Sequence, residues 1–210
     1  MDIKTLRLVR IVLWGGVVLA LLAVAWLGVV RPRMQAARVT DDRVTDASEI
    51  TDTLGQGDYE LIATDGTPFT QARLAEGPAA VFFGFTHCPD VCPTTLGDIM
   101  GWQEELEAEG QNLRVFFLTV DPERDTPGVL GDYVSWVPGV TGVTGDPEQM
   151  ARAIAAFRVH ASKEPLADGG YTVNHSTPVL LFDDGNYFGL IAYQEGHDRA
   201  MGTIRRLLDS

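Results

Sequence analysis

The stretch AAVFFGFTHCPDVCP, residues 79–93, decides how the rest of the chain is read. Residues 79–85 form a short apolar run of strand length, rich in Val and Phe, as expected of a strand buried on both faces. A turn cluster follows, punctuated by Thr86, Pro89, Asp90 and Pro93, and it carries both cysteines of the chain, Cys88 and Cys92. Residues 94–109 then read as a helix, with Leu96, Ile99, Met100 and Leu106 near one face and Gly110 as the stop. Two thiols four positions apart at a helix N-terminus have a chemical consequence. Unpaired backbone N–H groups and the helix dipole favour anionic sulfur, so the thiol pKa is expected to fall.

Downstream, the same alternation continues. Residues 113–120 (LRVFFLTV) read as a second buried strand, and residues 126–136, with Pro127 near the start, as a helix. A short strand over 140–144 precedes a helix over 147–157 that opens on Asp146-Pro147, a capping residue followed by a first-turn proline. In residues 178–193 two apolar runs flank Asp184-Gly185, a hairpin signal, and a last helix over 197–208 closes the chain. This order of elements implies an α/β layer architecture: a thioredoxin-like sandwich with a central mixed sheet flanked by helices.

Upstream, the composition changes twice. Residues 31–57 are polar and rich in Thr, Asp and Gly, and read as a linker before a body over 58–210. Residues 11–30 (IVLWGGVVLALLAVAWLGVV) contain no charged residue. Twenty helical residues span about 30 Å, the thickness of a bilayer's hydrocarbon core. Lys4, Arg7 and Arg10 could precede either an anchor or a cleaved signal, and Ala23-Val24-Ala25 resembles a cleavage site. The apolar run nevertheless continues to Val30, longer than a typical signal core, which favours one uncleaved transmembrane helix after a short tail. Arg31, Arg33 and Arg38 balance the three basic residues on the other side, so charge does not orient the span. The short tail and long acidic body suggest export of the body, placing it at a bacterial-type inner membrane with a periplasmic domain, or in the intermembrane-space equivalent.

The net charge of −13 argues against nucleic-acid binding, which needs a basic face. Residues 1–30 hold three of the 16 basic and one of the 29 acidic residues, leaving the remainder at −15. Such a body suits solubility and a basic partner patch, and it is repelled by anionic headgroups. Two cysteines are too few for a disulfide scaffold.

The cysteine pair can form and exchange a disulfide, or hold a soft metal ion. Two thiolates suit Cu(I), with a neutral imidazole as third donor, whereas a structural zinc site wants a fourth ligand. Of the four histidines, His197 opens the last helix beside Asp198 and reads as solvated, and His160 as a structural residue at a strand edge. His87 abuts Cys88, but adjacent side chains diverge. His175, in VNHSTP, precedes a central strand, and in a thioredoxin-like arrangement that loop faces the cysteine loop. Most histidines bind no metal, so residue type alone leaves His175 open.

GFTHCPDVCP (84–93), VDPERDTP (120–127) and VNHS (173–176) together resemble the Sco/SenC family, membrane-anchored thioredoxin-like proteins that deliver copper to cytochrome c oxidase. The resemblance covers roughly residues 55–208 and the N-terminal span. The cysteine motif is specific, with three residues between the cysteines where ordinary thioredoxins have two. The resemblance implies Cys88, Cys92 and His175 as ligands of copper, Cu(I) or Cu(II). It also implies the copper-A subunit of the oxidase and an upstream copper donor as partners. Asp121 and Asp125 fall in the acidic motif. A hard carboxylate suits Cu(I) poorly, so Asp121 is read as shaping the loop or as capping the following segment. Asn174 stands where the family often has aspartate, and Thr177-Pro178 resembles the cis-proline turn of thioredoxins.

The leading expectation is therefore a copper metallochaperone gated by the redox state of its cysteines. The alternative is a thiol–disulfide oxidoreductase that reduces the oxidase's copper-A cysteines, with Cys88 attacking and Cys92 resolving. A sensor has no output domain here. A peroxidase would want an activating arginine, and the cysteine loop has none.

Overall fold

The computed structural model describes residues 51–167 and 169–210, with Trp14, Gly16 and Trp26 as isolated positions before them. Apart from those three positions, the apolar span 11–30 and the linker up to residue 50 lie outside the described residues. Among the described residues no helix is long and apolar enough to cross a membrane.

The apolar run becomes β3 (Ala79–Gly84), and all six of its residues are buried. It lies parallel to β4 (Arg114–Thr119), which in turn lies parallel to β5 (Val140–Thr144). On its other side β3 pairs antiparallel with β8 (Val179–Asp183), which continues into β9 (Asn186–Ile191). Asp184 and Gly185 make the hairpin turn, both with positive φ (46° and 83°), as a tight two-residue turn requires. β1 (Leu61–Ala63) and β2 (Pro68–Phe69) complete a seven-stranded mixed sheet in the order β2-β1-β5-β4-β3-β8-β9. β6 (Ala161–Pro165) and β7 (Tyr171–His175) form a separate antiparallel ribbon.

Strand alternation divides the core in two. Phe82, Val115 and Phe117 face Leu96, Ile99 and Trp102 of α2 (Val91–Ala108), Leu130 of α3 (Pro127–Val134) and Ile204 of α5 (His197–Leu208). Val81, Phe83, Phe116 and Leu118 face Leu74 of α1 (Gln71–Leu74), Met150 of α4 (Pro147–Ala156), Phe157 and Val173 of β7. This is the expected thioredoxin-like α/β layering.

Two local expectations shift. α2 begins at Val91, not at residue 94, because Pro93 falls in the first turn, where a missing N–H is harmless. Cys92 is therefore a helical residue. The body also begins earlier than residue 58: Leu54 is buried and Gly55 N–H donates to Ala156 O at 3.0 Å. The short β1, β2 and α1 and the ribbon β6–β7 carry little apolar periodicity, and only Val173 of the ribbon is buried.

Candidate metal centre

The first ligand position follows from the end of β3. After Phe85 the chain turns, and Cys88 N–H donates to Phe85 O at 3.2 Å. Cys88 is half-buried. Cys92, one helical step into α2, is fully buried, and its N–H points back at Cys88 Sγ at 3.4 Å. Both are free thiols. The buried sulfur needs room, and Gly84 supplies it: a Cβ there would sit 2.7 Å from Cys92 Sγ and 2.7 Å from Phe117 Cζ. The sequence reading gave Gly84 no role. A glycine closing an otherwise bulky buried strand is the signal that marks such a close approach.

His175 is the last residue of β7, and its Nε2 lies 3.7 Å from Cys92 Sγ. Its Nδ1 lies 2.8 Å from the carbonyl of Ser176. A carbonyl only accepts, so the proton sits on Nδ1 and the neutral ring's lone pair sits on Nε2, facing the sulfurs. Phe85 packs against the imidazole with ring centroids 5.8 Å apart and planes at 86°. The donor atoms of Cys88, Cys92 and His175 all lie within 4.8 Å of one another. A trigonal ion with bonds of about 2.0–2.3 Å holds its donors about 3.5–4.0 Å apart, so closure needs about 1 Å of movement.

Two buried carboxylates tie the halves of this cluster together. Asp125, with no exposed surface, accepts from the Thr86 hydroxyl (2.6 Å) and N–H (3.1 Å) and from the Thr119 hydroxyl (2.6 Å). It thus fixes the cysteine loop to the end of β4. Asp121, equally buried, is paired with Arg124 and accepts from the Tyr171 hydroxyl at 2.8 Å. The Arg124 guanidinium lies 3.9 Å from the Tyr171 ring centroid and 5.8 Å from that of Phe85, and donates to Tyr171 O at 3.2 Å. Asp121 therefore latches the ribbon that carries His175 onto the body.

The two thiols differ sharply. Cys88 is pulled down to about 3, first by the Cys92 thiol hydrogen bond, then by His175 and by backbone N–H groups, against a desolvation cost. Cys92 moves the other way, raised by its hydrogen bond to Cys88 and by burial. The general fall expected from the helix N-terminus holds for Cys88 only, because the hydrogen bond to Cys88, and after it burial, outweighs it at Cys92. The apo site thus holds one thiolate and one thiol.

The remaining positions fall outside the cluster. Asn174 is exposed, on the ribbon face opposite its neighbour Val173. No peptide bond among the described residues is cis, so Thr177-Pro178 is trans, unlike the thioredoxin turn it resembles. His160 is exposed and its ring meets Ser162 Oγ at 3.2 Å. His197 is half-exposed and paired with Glu105 at 2.6 Å, so it is not merely solvated.

Comparisons with known proteins agree with this geometry. The SCO1/SenC family profile matches residues 47–209. The mitochondrial SCO2 homologue of Mus musculus is 35% identical over 158 residues, which cover 73% of this chain and 62% of that protein. The chain spans 62% and 59% of the lengths of the mouse and bovine homologues. Bradyrhizobium japonicum ScoI with copper bound superimposes with a TM-score of 0.67 at 35% identity, covering 73% of this chain and 99% of that one. Yeast Sco1 with copper bound gives 0.69 at 31% identity, covering 75% and 90%.

Proposed function

Since the chain belongs to the SCO1/SenC family, we propose that it is a copper metallochaperone that holds Cu(I) between Cys88 Sγ, Cys92 Sγ and His175 Nε2. The observation that carries this reading is the convergence of two sulfurs and an outward Nε2 lone pair within 4.8 Å, from residues up to 87 positions apart in the chain. The set is soft, and three donors suit Cu(I) better than a four-coordinate zinc site. Two solved relatives above 30% identity, Bradyrhizobium japonicum ScoI and yeast Sco1, have been solved with copper bound.

Copper is the cargo, so the site must release it. Loading displaces the proton of Cys92, since Cys88 is already a thiolate. Oxidation of the pair to a disulfide removes both thiolates and releases the ion. The copper-A centre of cytochrome c oxidase is the recipient that family membership implies. Residues 11–30 anchor the chain, residues 31–50 act as a tether, and the body faces the periplasm or its intermembrane-space equivalent. Titrating the reduced chain with Cu(I) against a competing chelator tests the reading. One tight equivalent that Cys88→Ser weakens by orders of magnitude supports it. A Cys88→Ser variant that binds as tightly as the parent refutes it.

A second reading has its own support. A half-exposed, acidic Cys88 beside a buried, protonated Cys92 is the asymmetry of an attacking and a resolving thiol. Such a thiol–disulfide oxidoreductase would act on the oxidase's copper-binding cysteines. It predicts that His175→Ala spares thiol exchange; absence of exchange activity in the parent chain removes it.

A further inference from the structure

The ribbon that carries His175 ends in an irregular rung. Its ladder pairs Ala161 with His175, so the next rung outward is His160 with Ser176. The Ser176 N–H donates to His160 O at 3.0 Å, which makes this a hydrogen-bonded rung. In a regular antiparallel rung of that kind the two residues exchange both bonds, so the His160 N–H would return to Ser176 O. Here it donates to Ser176 Oγ instead, at 3.0 Å. The Ser176 carbonyl is thereby left to accept the His175 Nδ1–H at 2.8 Å.

This diversion bears on the ring. A neutral imidazole carries one proton, and the acceptors around it decide which nitrogen holds that proton. Two kinds of acceptor compete at His175. The sulfurs of Cys88 and Cys92 lie within 4.8 Å of the ring nitrogen that faces them, and Cys92 Sγ is 3.7 Å from Nε2. On the far side stands the Ser176 carbonyl. A ladder carbonyl lies in the plane of its ribbon, aimed at the partner strand, whereas side chains leave that plane, so one carbonyl does not serve both rung and ring well. Drawn back into the rung, it would leave the ring proton to the sulfurs, and the lone pair would turn away from them.

We propose that Ser176 is the positioning residue for His175: its hydroxyl takes the rung's N–H in place of its own carbonyl, and so frees that carbonyl to hold the imidazole with the Nε2 lone pair toward the two sulfurs. Ser176 itself gives no bond to the ion. It acts through the orientation and tautomer of its chain neighbour, and a far ring N–H held by a carbonyl is how metal-binding imidazoles are commonly fixed. His160 contributes through its backbone alone, since its ring is occupied with Ser162 Oγ at 3.2 Å. The requirement is an oxygen on Cβ at position 176. Threonine retains it and alanine does not.

The proposal rests on the copper reading above for its consequence, but its first readout needs no copper. The reduced, copper-free full chain, isotope-labelled at the histidine ring nitrogens, is held in detergent at about pH 8, where an ordinary imidazole is neutral. Nuclear magnetic resonance reads which ring nitrogen carries the proton, and the His175 signals are identified by their loss in His175→Ala. The parent shows Nδ1 protonated and Nε2 bare. Ser176→Ala moves the proton onto Nε2 in most molecules, and Ser176→Thr keeps the parental tautomer. Cu(I) competition against bicinchoninate then gives a dissociation constant raised about tenfold in Ser176→Ala and parental in Ser176→Thr. A merely structural role would lower the urea midpoint of Ser176→Ala without moving the tautomer, and that result overturns the proposal. So does a Ser176→Thr chain that behaves as Ser176→Ala, or a moved tautomer with parental Cu(I) affinity. A parent chain that takes up no Cu(I) overturns the copper reading by itself, while the tautomers of the parent and the two variants still decide what the hydroxyl does.

Discussion

Gly84→Ala probes the room made for the buried sulfur. The new methyl group meets Cys92 Sγ at 2.7 Å and Phe117 Cζ and Cε2 at 2.7 and 2.9 Å. Ordinary carbon contacts are about 3.5–4.0 Å, so the overlap is close to 1 Å on two sides. Neither neighbour can retreat, because Cys92 and Phe117 have no exposed surface and β3 is paired on both edges. Overpacking of this kind costs about 1–3 kcal/mol. The loss of glycine's chain entropy returns about 0.5–1 kcal/mol, leaving a net destabilisation of about 1–2 kcal/mol. Displacing Cys92 Sγ by about 1 Å also pulls it out of the trigonal range set by His175, which should weaken Cu(I) about tenfold or more. Urea denaturation of the reduced apo protein and Cu(I) competition read the two effects. Gly97→Ala is the control, since nothing lies within 4 Å of a Cβ at that helical position; it should be neutral or stabilising by up to about 1 kcal/mol. A Gly84→Ala protein with parental stability and parental affinity would refute the reasoning.

Other consequences follow from the same contacts. Asp125→Ala leaves the Thr86 and Thr119 donors unpaired in a buried position and should cost about 3 kcal/mol, read as a lower urea midpoint at constant m; a shift within error of the parent contradicts the clamp. Tyr171→Phe removes the hydroxyl that Asp121 accepts while keeping the ring under Arg124. It should cost about 1–2 kcal/mol and loosen His175, so that Cu(I) affinity falls while the rate of Cys88 alkylation does not. Cys88 is pulled down to about 3 and Cys92 is raised, so only one thiol proton is displaced on loading. Apparent Cu(I) affinity should therefore rise about tenfold per pH unit between pH 6 and 8, and a slope near zero or near two contradicts the assignment. Iodoacetamide at neutral pH should label Cys88 well before Cys92, as mass spectrometry of the digest would show; equal labelling is the contrary result.

The sequence made the deeply buried parts of this fold legible and the partly exposed parts opaque. β3, β4 and β8 are apolar runs buried on both faces, and Asp184-Gly185 can hardly be anything but a turn. The ribbon β6–β7 buries one residue, Val173, so it leaves no period to read, although it carries His175. The three candidate ligands came from motif spacing and resemblance; what brings them together is long-range. Asp121 could be read only as a loop-shaping or capping residue and Asp125 only as a member of the acidic motif, because their partners Tyr171 and Thr86 lie 50 and 39 positions away. Gly84 needed the position of a sulfur eight residues on. The different behaviour of the two thiols depends on the hydrogen bond between them and on burial, which the motif alone does not reveal. The apolar span 11–30 remains a reading of the sequence, since all but Trp14, Gly16 and Trp26 lie outside the described residues.

The most direct test of the central claim is X-ray absorption at the copper edge of the reduced chain loaded with one equivalent of Cu(I), beside His175→Ala. Three donors to copper, two sulfurs and one imidazole nitrogen, with the nitrogen lost in the variant, are the result this account predicts. A sulfur-only site, or a nitrogen that persists when His175 is gone, would contradict it.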